Sequence, residues 1–369
     1  MEFTVPRGDL HKELQRLQGV VEKKNTIPIL SNTYLAAEKG QLELAATDLE
    51  LGIRTSTAAK VGKPGAITLS SKKLFEIIRL LPEDTVSFKL EDNHWVQITC
   101  ARSHFRMVGL PKDDFPSIPD FDFAKAIPLD LEIFQGMVNR VLFASTADDA
   151  RYPLQGVLAI LGKENLSLVA TDGHRLSFVS GKPARKAVEK EIRVIIPRKT
   201  LVEVARIDLE DSKEVLLGVS ENRVFFRSGG LVLASATVEG VFPAYEKVIP
   251  KDNDKILEFG VGEFTDAVRR VSLLANERSR AVKLSLQPGR LEVSSSNPEM
   301  GEAREVVEVG YRGAELEIGF NARYLLDFLA VVEAPKFSLH LKDEQTQGMM
   351  TPAQEGELDY RYIVMPMRI

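Results

Sequence analysis

Three stretches of the chain repeat one pattern: QLELAATDLELGIR (41–54), NLSLVATDGHRLSFV (165–179) and RLEVSSSNPEMGEAREVV (290–307). Each alternates apolar and polar residues on both sides of a short polar turn, which is typical of two antiparallel strands joined by a corner. The two ATD triplets begin 124 residues apart (46 to 170), and Leu291 follows Leu166 by 125 residues. This period predicts three equal units over the 369 residues of the chain.

Each unit opens with a short strand that leads into an amphipathic helix: FTVPRGDLHKELQRLQGVV, IPLDLEIFQGMVNRVLFAS and LEFGVGEFTDAVRRVSLLA. A second helix follows in TLSSKKLFEIIRLL, where Ser70 or Ser71 is the expected N-cap, and in IIPRKTLVEVARI and IGFNARYLLDFLAVV. Phe-Pro corners in DDFPSIP and GVFPAYEKVIP close the first two units. We therefore predict an α+β fold of three repeated domains, residues 1–124, 125–250 and 251–369, each with two helices on largely antiparallel sheet.

The composition is that of a soluble globular protein, with 44% hydrophobic and 27% charged residues. The N-terminal stretch MEFTVPRGDLHKEL has no apolar signal region, and Cys100 is the single cysteine, so the cytoplasm is the expected location. The five histidines lie far apart, without an HxH, HExxH or CxxC motif, and no GxxxxGK[ST] or GxGxxG motif occurs. We expect no metal site and no cofactor.

The segment ATDGHRL (170–176) places an acid, a glycine, a histidine and an arginine side by side in the middle of the chain. Asp172 and His174 suggest a hydrolase, but we do not expect them to form a catalytic triad with a serine or cysteine nucleophile. The first unit has Leu49 and Glu50 after its own ATD, so the fold does not require the histidine. We expect Asp172 to be a turn residue and assign no catalytic residue; a hydrolase remains the alternative.

Basic residues recur on the predicted helices although the net charge is −5: Lys12, Arg16, Lys23, Lys24, Lys72, Lys73, Arg79, Arg140, Arg198, Lys199, Arg206, Arg269, Arg270 and Arg323. A solvated helix face is the simplest explanation. Six helices spaced by roughly 9–10 Å enclose too little room for duplex DNA, whereas twelve leave a bore of roughly 25 Å. Two chains are therefore able to surround a duplex with sequence-independent phosphate contacts. A monomeric scaffold that binds peptides is the alternative.

ATDGHRL, GVFPAYEKVIP, GFNARYLLD and the terminal YIVMPMRI together resemble one family, the bacterial sliding clamp or beta subunit of DNA polymerase III. The resemblance extends over essentially the whole chain. It implies a head-to-tail homodimeric ring of six domains around double-stranded DNA, with two helices from each domain lining the hole. It also implies no enzymatic activity, no cofactor, and binding to the replicative polymerase, to the clamp loader and to other replication and repair proteins.

The resemblance further implies a cleft in which short motifs of these partners dock. Its apolar and methionine walls suit an apolar anchor, and an arginine or histidine suits a peptide carboxylate or carbonyl. The cleft residues carried over are Leu154, Thr171, Gly173, His174, Arg175, Leu176, Pro243, Lys247, Val248, Asn321, Tyr324, Ile363, Val364, Met365, Pro366, Met367 and Arg368.

The same resemblance assigns DNA contacts and the two edges of a dimer interface. The DNA-contact residues are Lys24, Tyr152, Arg198 and Lys199; capping of the predicted helix is the alternative role of the last two. One dimer edge comprises Ile77, Arg102, His104, Phe105 and Met107, and the other Leu273, Leu274, Glu299, Glu302 and Glu305. Opposite charges and main-chain pairing of edge strands would set the head-to-tail order. Asp148, Pro153 and Arg304 depart from the family pattern and weaken the carry-over locally.

Overall fold

A computed structural model describes residues 1–21, 27–146, 153–184, 188, 190–354 and 356–368. These residues contain six α-helices and twenty-five β-strands arranged in four sheets. The chain divides into two compact bodies: Met1–Leu131 with Arg206–Thr237, and Glu132–Ala205 with Val238–Ile369. None of the described helices is both long enough and apolar enough to span a membrane.

The secondary-structure elements follow the three predicted repeats in order. The first repeat contains β1 (Glu2–Pro6), α1 (Arg7–Leu17), β2 (Asn32–Glu38), β3 (Gln41–Thr47), β4 (Leu51–Ala58), β5 (Lys60–Lys63), β6 (Gly65–Ser70), α2 (Ser71–Leu80), β7 (Thr85–Leu90), β8 (Trp95–Cys100) and β9 (Ser103–Val108). The second contains β10 (Ile127–Asp130), α3 (Leu131–Leu142), β11 (Gly156–Leu161), β12 (Leu166–Thr171), β13 (Arg175–Gly181), β14 (Ile192–Pro197), α4 (Arg198–Ala205), β15 (Glu214–Ser220), β16 (Arg223–Ser228) and β17 (Leu231–Ala236). The third contains β18 (Lys255–Gly260), α5 (Val261–Ser272), β19 (Ala281–Gln287), β20 (Arg290–Asn297), β21 (Gly301–Glu308), β22 (Leu316–Asn321), α6 (Ala322–Leu329), β23 (Lys336–Leu341), β24 (Gly348–Pro352) and β25 (Asp359–Val364).

The helices bury the apolar faces that their spacing predicts. Leu10, Leu14 and Leu17 of α1 are completely buried, and each contributes roughly 1.5–3 kcal/mol to stability through burial. One expectation about helix ends was wrong in detail. Ser70 occupies the N-cap position of α2, but its side chain makes no capping hydrogen bond.

The first body contains a five-stranded sheet, in the order β5-β1-β7-β8-β9, and an eight-stranded sheet, in the order β10-β15-β16-β17-β4-β3-β2-β6. Strand β17 of the second repeat pairs antiparallel with β4 of the first, with Leu51 opposite Ser235. Two neighbouring repeats therefore share one continuous sheet.

The second body repeats this arrangement with an eight-stranded sheet, β14-β11-β12-β13-β25-β24-β23-β18, and a four-stranded sheet, β21-β20-β19-β22. Strand β25 of the third repeat pairs with β13 of the second, with Arg175 opposite Val364. Within the described parts of the chain, β9 and β21 are outer strands of their sheets. Both outer strands retain one edge that no described strand covers.

Repeated main-chain hydrogen bonds confirm that the three units share one fold. The first residue of each opening helix donates its N–H to the residue just before a strand: Arg7 to Asp84 O (2.9 Å), Leu131 to Lys213 O (3.1 Å) and Val261 to Pro335 O (3.0 Å). The end of each repeat returns to its own sheet in the same way, through Leu110 N to Thr68 O, Val238 N to Ile195 O and Met367 N to Gly319 O. These bonds provide a structural alignment of the repeats.

Candidate functional site

The ATDGHRL segment forms a tight corner between β12 and β13, as the sequence predicts. The Asp172 carboxylate accepts the backbone N–H groups of His174 (3.0 Å) and Arg175 (3.1 Å), and the Thr171 hydroxyl accepts that of Gly173 (3.1 Å). Gly173 has a φ of 88°, a left-handed conformation that glycine adopts without strain. The corner is therefore fixed by local hydrogen bonds.

An apolar cavity of about 110 Å³ lies beside this corner, and apart from Tyr245 all of its lining residues were assigned to the cleft from the sequence. It is lined by Leu154, Thr171, Gly173, Arg175, Leu176, Pro243, Tyr245, Val248, Ile363 and Met365. Strand β25 brings Ile363 into the cavity wall because it pairs with β13. The structure thus brings together residues that are far apart in the chain around one small apolar space.

Sequence analysis missed Tyr245, although it assigned Pro243, Lys247 and Val248 of the same stretch to the cleft. Its ring is buried and stacks on Phe178 with 6.1 Å between centroids, and burial raises the pKa of its hydroxyl. The signal was present in the repeat, since Tyr245 and Ile118 both stand two residues after the proline of a Phe-Pro corner. In the first repeat Ile118 lies against Gly52, which is the counterpart of Leu176.

Arg175 lines the cavity, but its guanidinium is committed to its own chain. Its side chain is only 8% exposed and donates to Asp172 (3.0 Å), to Asp327 and to the Phe143 carbonyl (2.8 Å). The guanidinium also lies 4.4 Å from the ring centroid of Tyr324. The expectation that this arginine would hold a peptide carboxylate is therefore replaced by a structural role, in which it ties β13 to α6.

The remaining predicted cleft residues do not line the cavity: His174, Lys247, Asn321, Tyr324, Val364, Pro366, Met367 and Arg368. Asn321 caps α6 by accepting the Arg323 N–H (2.9 Å), and its amide donates to the Ser279 carbonyl (3.2 Å). The His174 carbonyl accepts the Met365 N–H (3.0 Å), which holds the chain end against the corner. The His174 and Lys247 side chains are exposed.

The geometry around Asp172 does not resemble a catalytic acid. Its carboxylate is bonded to two backbone N–H groups and to Arg175, so it is positioned as a turn residue and ion-pair partner. Across the described residues, no group of three His, Cys, Asp or Glu side chains is arranged to hold a metal ion.

Of the predicted DNA-contact residues, Lys24 and Tyr152 lie outside the described residues, as does the departing residue Asp148. Arg198 and Lys199 open α4; the Arg198 side chain is exposed, while its backbone N–H donates to the Gln155 carbonyl (3.1 Å).

Two further basic residues on α1 already have carboxylate partners. Lys12 contacts Asp211 (2.5 Å), and Arg16 bonds both Asp211 and Glu13. The hydrogen bond from Lys12 lowers the pKa of the Asp211 carboxyl. The basic face of α1 is therefore partly neutralised by its own chain.

The residues of the two predicted dimer edges lie partly on the outer strands β9 and β21, while Ile77 lies on α2. On the first side, Arg102 lies in the turn before β9, and β9 carries His104, Phe105 and Met107; Phe105 is 37% exposed. On the second side, Leu273 follows α5 and is 75% exposed. Sequence analysis missed further exposed apolar residues at these edges, which are Leu80, Val108, Met300 and Val306.

The acidic residues of the second edge differ in their surroundings. Glu299 and Glu302 are exposed. Glu305 instead accepts two hydrogen bonds from Arg270 (2.8 and 2.5 Å), which lowers the pKa of the Glu305 carboxyl. Glu305 therefore has an ion-pair partner within its own chain.

Models of the DNA polymerase III beta subunit match the chain in three consecutive segments: the N-terminal domain at residues 1–119, the central domain at 128–244 and the C-terminal domain at 246–368. Among individual relatives, the beta sliding clamp of Caulobacter vibrioides is 38% identical over 377 residues, and that of Escherichia coli K12 is 34% identical over 371 residues. Both comparisons cover each chain completely.

Comparison with solved structures identifies the same family. The DNA polymerase III subunit beta from Pseudomonas aeruginosa matches with a TM-score of 0.93 at 34% identity, and the DnaN sliding clamp of Bartonella birtlesii bound to griselimycin with 0.94 at 35%, each with both chains fully covered. Three matching domains, full-length relatives and a shared fold lead to one conclusion: this chain belongs to the DNA polymerase III beta subunit family, the beta sliding clamps.

Proposed function

We propose that this chain is a DNA sliding clamp, a homodimeric ring that encircles duplex DNA without reading its sequence and tethers the replicative polymerase. The observation that carries the proposal is the way in which the repeats join. At each of the two junctions within the chain, a late strand of one repeat completes the sheet of the preceding repeat. Strand β9 of the first repeat and strand β21 of the third correspond to the strands that pair at these junctions, but they have no such partner within the chain. They are the two strands that would make the same junction with a second copy.

The burial of matching residues supports this closure. Leu233 of β17 and Tyr362 of β25 face the core at the two junctions within the chain and are completely buried. Phe105 occupies the same place on β9 and is 37% exposed. A large apolar side chain left open at such a position indicates a missing partner strand. Leu273 and Leu274 on the opposite edge supply apolar surface for contact with the partner's Phe105.

The registers of the two junctions predict the register between two copies. Gly301 is the counterpart of Arg175, and Met107 is the counterpart of Val364. We therefore expect Gly301 to lie opposite the partner's Met107, and Ala303 opposite the partner's Phe105. Main-chain hydrogen bonds between edge strands would then extend the sheet across each seam.

This register also places Glu302 opposite the partner's Arg106, a pairing of opposite charges. A disulfide test follows: a Glu302→Cys, Arg106→Cys variant should form a covalent dimer under mild oxidation. The control, Glu302→Cys with Val108→Cys, shifts the pairing by two residues and should cross-link much less. Equal yields from the two variants would contradict the proposed register.

For contact with DNA we propose weak phosphate binding by exposed basic residues such as Arg198, with Lys199, Lys24 and Tyr152 assigned by family resemblance. The net charge of −5 disfavours tight binding through bulk electrostatics. A closed ring needs little affinity, because linkage rather than contact energy retains it. Head-to-tail closure of two three-domain chains gives the six domains and twelve helices that the bore requires.

We assign the cavity beside the ATDGHRL corner as the docking site for short motifs of the replicative polymerase, the clamp loader, and other replication and repair proteins. Leu176, Val248 and Ile363 supply apolar walls, and Met365 is an adaptable side chain that suits several partners. An extended peptide with an apolar anchor fits this chemistry better than a charged metabolite. We propose no catalytic activity for the chain and, since bacterial replication is cytoplasmic, a cytoplasmic location.

The function is tested by retention on nicked circular plasmid after loading by the cognate clamp loader with ATP. At salt that removes ordinary phosphate contacts, the protein should stay on the circle and be lost when the DNA is linearised. Equal retention on both forms would show direct binding to DNA. Failure to load, in an assay where a known clamp loads, would favour a peptide-binding scaffold.

A second test separates the clamp from the scaffold and from a hydrolase. Phe105→Asp with Leu273→Asp should abolish both the dimer and retention on DNA, because charged groups then replace the apolar contact on both edges. Ile256→Asp, a change at an exposed apolar residue on β18 (58% exposed), is the control and should affect neither. A hydrolytic activity lost in His174→Ala would instead revive the enzyme hypothesis.

A further inference from the structure

One arginine recurs at the same place in all three repeats. Arg16, Arg140 and Arg270 are each the tenth residue of the opening helix, in α1, α3 and α5. Each bonds a carboxylate: Arg16 bonds Asp211, Arg140 bonds Glu333 (2.8 Å), and Arg270 bonds Glu305 (2.8 Å). The arginine is thus common to the repeats, whereas the origin of its acidic partner differs.

In the first two repeats, the acid comes from the repeat that follows. Asp211 stands two residues before Lys213, and Glu333 stands two residues before Pro335. Lys213 and Pro335 are matching positions, because their carbonyls accept the N–H of the first residue of the opening helix in their own repeats. One and the same ion pair therefore fastens the first repeat to the second and the second to the third.

The third arginine has no following repeat within the chain. Arg270 is held by Glu305 on β21 of its own repeat, and its side chain is 60% exposed, against 23% for Arg16 and 12% for Arg140. In a ring, the repeat that follows is the first repeat of the partner. There the matching carbonyl belongs to Asp84, and the residue two positions earlier is Pro82, which is exposed and has no carboxylate.

We propose that each seam between two copies lacks the ion pair that fastens both junctions within the chain. Pro82 stands where Asp211 and Glu333 supply the acid, and Glu305 keeps Arg270 occupied in its own chain. This inference rests on the proposed dimeric ring. It gives an identifiable chemical reason for the seams to be weaker than the two junctions within the chain.

The proposal is tested by adding the missing acid and releasing the arginine. The variant Pro82→Glu, Glu305→Gln is compared with Pro82→Gln, Glu305→Gln, and the dimer dissociation constant is measured by analytical ultracentrifugation. A partly exposed ion pair strengthens association by about two- to five-fold at one seam. Because the symmetric ring has two seams, we expect about four- to twenty-five-fold tighter dimers overall.

Three results would overturn the proposal. Equal dissociation constants for the two Pro82 variants would show that position 82 does not face Arg270. Persistence of the gain after Arg270→Gln is added would show that another cation is responsible. Should the Pro82 variants not fold, Glu305→Gln is compared with Glu308→Gln, which removes the same charge from β21. We expect the dimer dissociation constants of these two variants to agree within about two-fold. A much weaker dimer for Glu305→Gln would show that Glu305 binds the partner.

Failure of this inference differs from failure of the proposed function. A wild-type protein that remains monomeric at every concentration would refute the ring itself. A dimer that is retained on circular DNA but is insensitive to these substitutions would refute only the missing ion pair.

Discussion

The corner that begins at Thr47 and the corner that begins at Thr171 have the same backbone hydrogen bonds but different neighbouring side chains. In both, the threonine hydroxyl accepts the N–H two residues later, at 3.0 and 3.1 Å. Each aspartate, Asp48 and Asp172, accepts the N–H groups of the residues two and three positions after it, at 2.7–3.1 Å. The Thr-Asp pair is therefore sufficient to build the turn in either repeat.

The side chains after the Thr-Asp pair make the difference. Leu49 and Gly173 follow the aspartates and have similar φ values of 80° and 88°, although only the glycine is free of strain there. Two residues further on, Leu51 is a buried apolar residue, whereas Arg175 is a buried guanidinium that joins α6. The two corners therefore share a turn, and in the second repeat Gly173 and Arg175 of that turn form part of the cavity wall.

The largest loss of stability is expected when Arg175 of the second corner is replaced by leucine, the residue at the matching position of the first corner. Arg175→Leu leaves Asp172 and Asp327, which are 16% and 27% exposed, without their cation. We expect the free energy of unfolding to fall by about 3 kcal/mol, measured by urea denaturation. Arg361→Leu removes a surface ion pair and is the control, with a loss below about 1 kcal/mol. Equal losses would show that Arg175 contributes nothing beyond a surface contact.

A smaller difference should separate the two aspartates. Both carboxylates accept backbone N–H groups, but Asp172 also accepts the Arg175 guanidinium at 3.0 Å. We expect Asp172→Asn to cost about 2 kcal/mol and Asp48→Asn about 1 kcal/mol, because hydrogen bonds between charged groups are the stronger ones. Thermal denaturation of the two variants side by side provides the measurement. A larger loss for Asp48→Asn would reverse the comparison.

Replacing Gly173 by leucine, the residue at the matching position of the first corner, tests both stability and binding. Gly173→Leu places a side chain in the left-handed region, at a cost of about 1–2 kcal/mol, and adds bulk to the cavity wall. Affinity for a fluorescent peptide from the cognate polymerase should fall at least about ten-fold, a loss of about 1.4 kcal/mol. Gly229→Leu is the control, since its φ is also positive (56°) and nothing lies within 4 Å of an added Cβ. It should lose stability but keep peptide affinity.

The smallest effect is a gain. Leu49→Gly relieves the left-handed strain in the first corner but increases the freedom of the unfolded chain, so we expect about 0.5 kcal/mol of net stabilisation. Leu49→Ala retains a Cβ and should show no gain. Chemical denaturation with closely spaced urea concentrations distinguishes the two. A destabilised Leu49→Gly variant would mean that the half-exposed leucine makes contacts that outweigh its strain.

Much of this architecture could be predicted from the sequence, because repetition and alternation are local signals. The three repeats, the opening helices and the corner at Asp172 follow from spacing alone. Family resemblance then supplied all the residues that line the cavity except Tyr245. Tyr245 escaped because its role depends on stacking against Phe178, a contact across distant parts of the chain.

The rest could not be predicted, because it depends on pairs of residues distant in sequence. Arg175 contacts Asp327 in the body where β25 pairs with β13, and Arg16 contacts Asp211 in the body where β17 pairs with β4. In both cases the sequence indicates a free cation, whereas the structure shows one already neutralised. Charge on a helix face is thus a poor guide to which cations remain available to DNA.

The pairing of β25 with β13 has a consequence for synthesis of the protein on the ribosome. Strand β13 leaves the ribosome long before β25, so its outer edge must wait unpaired while the third repeat is made. Ile363 and Met365 arrive last, and the cavity cannot exist before they do. A nascent chain therefore lacks the complete cavity until β25 and Met365 have been made.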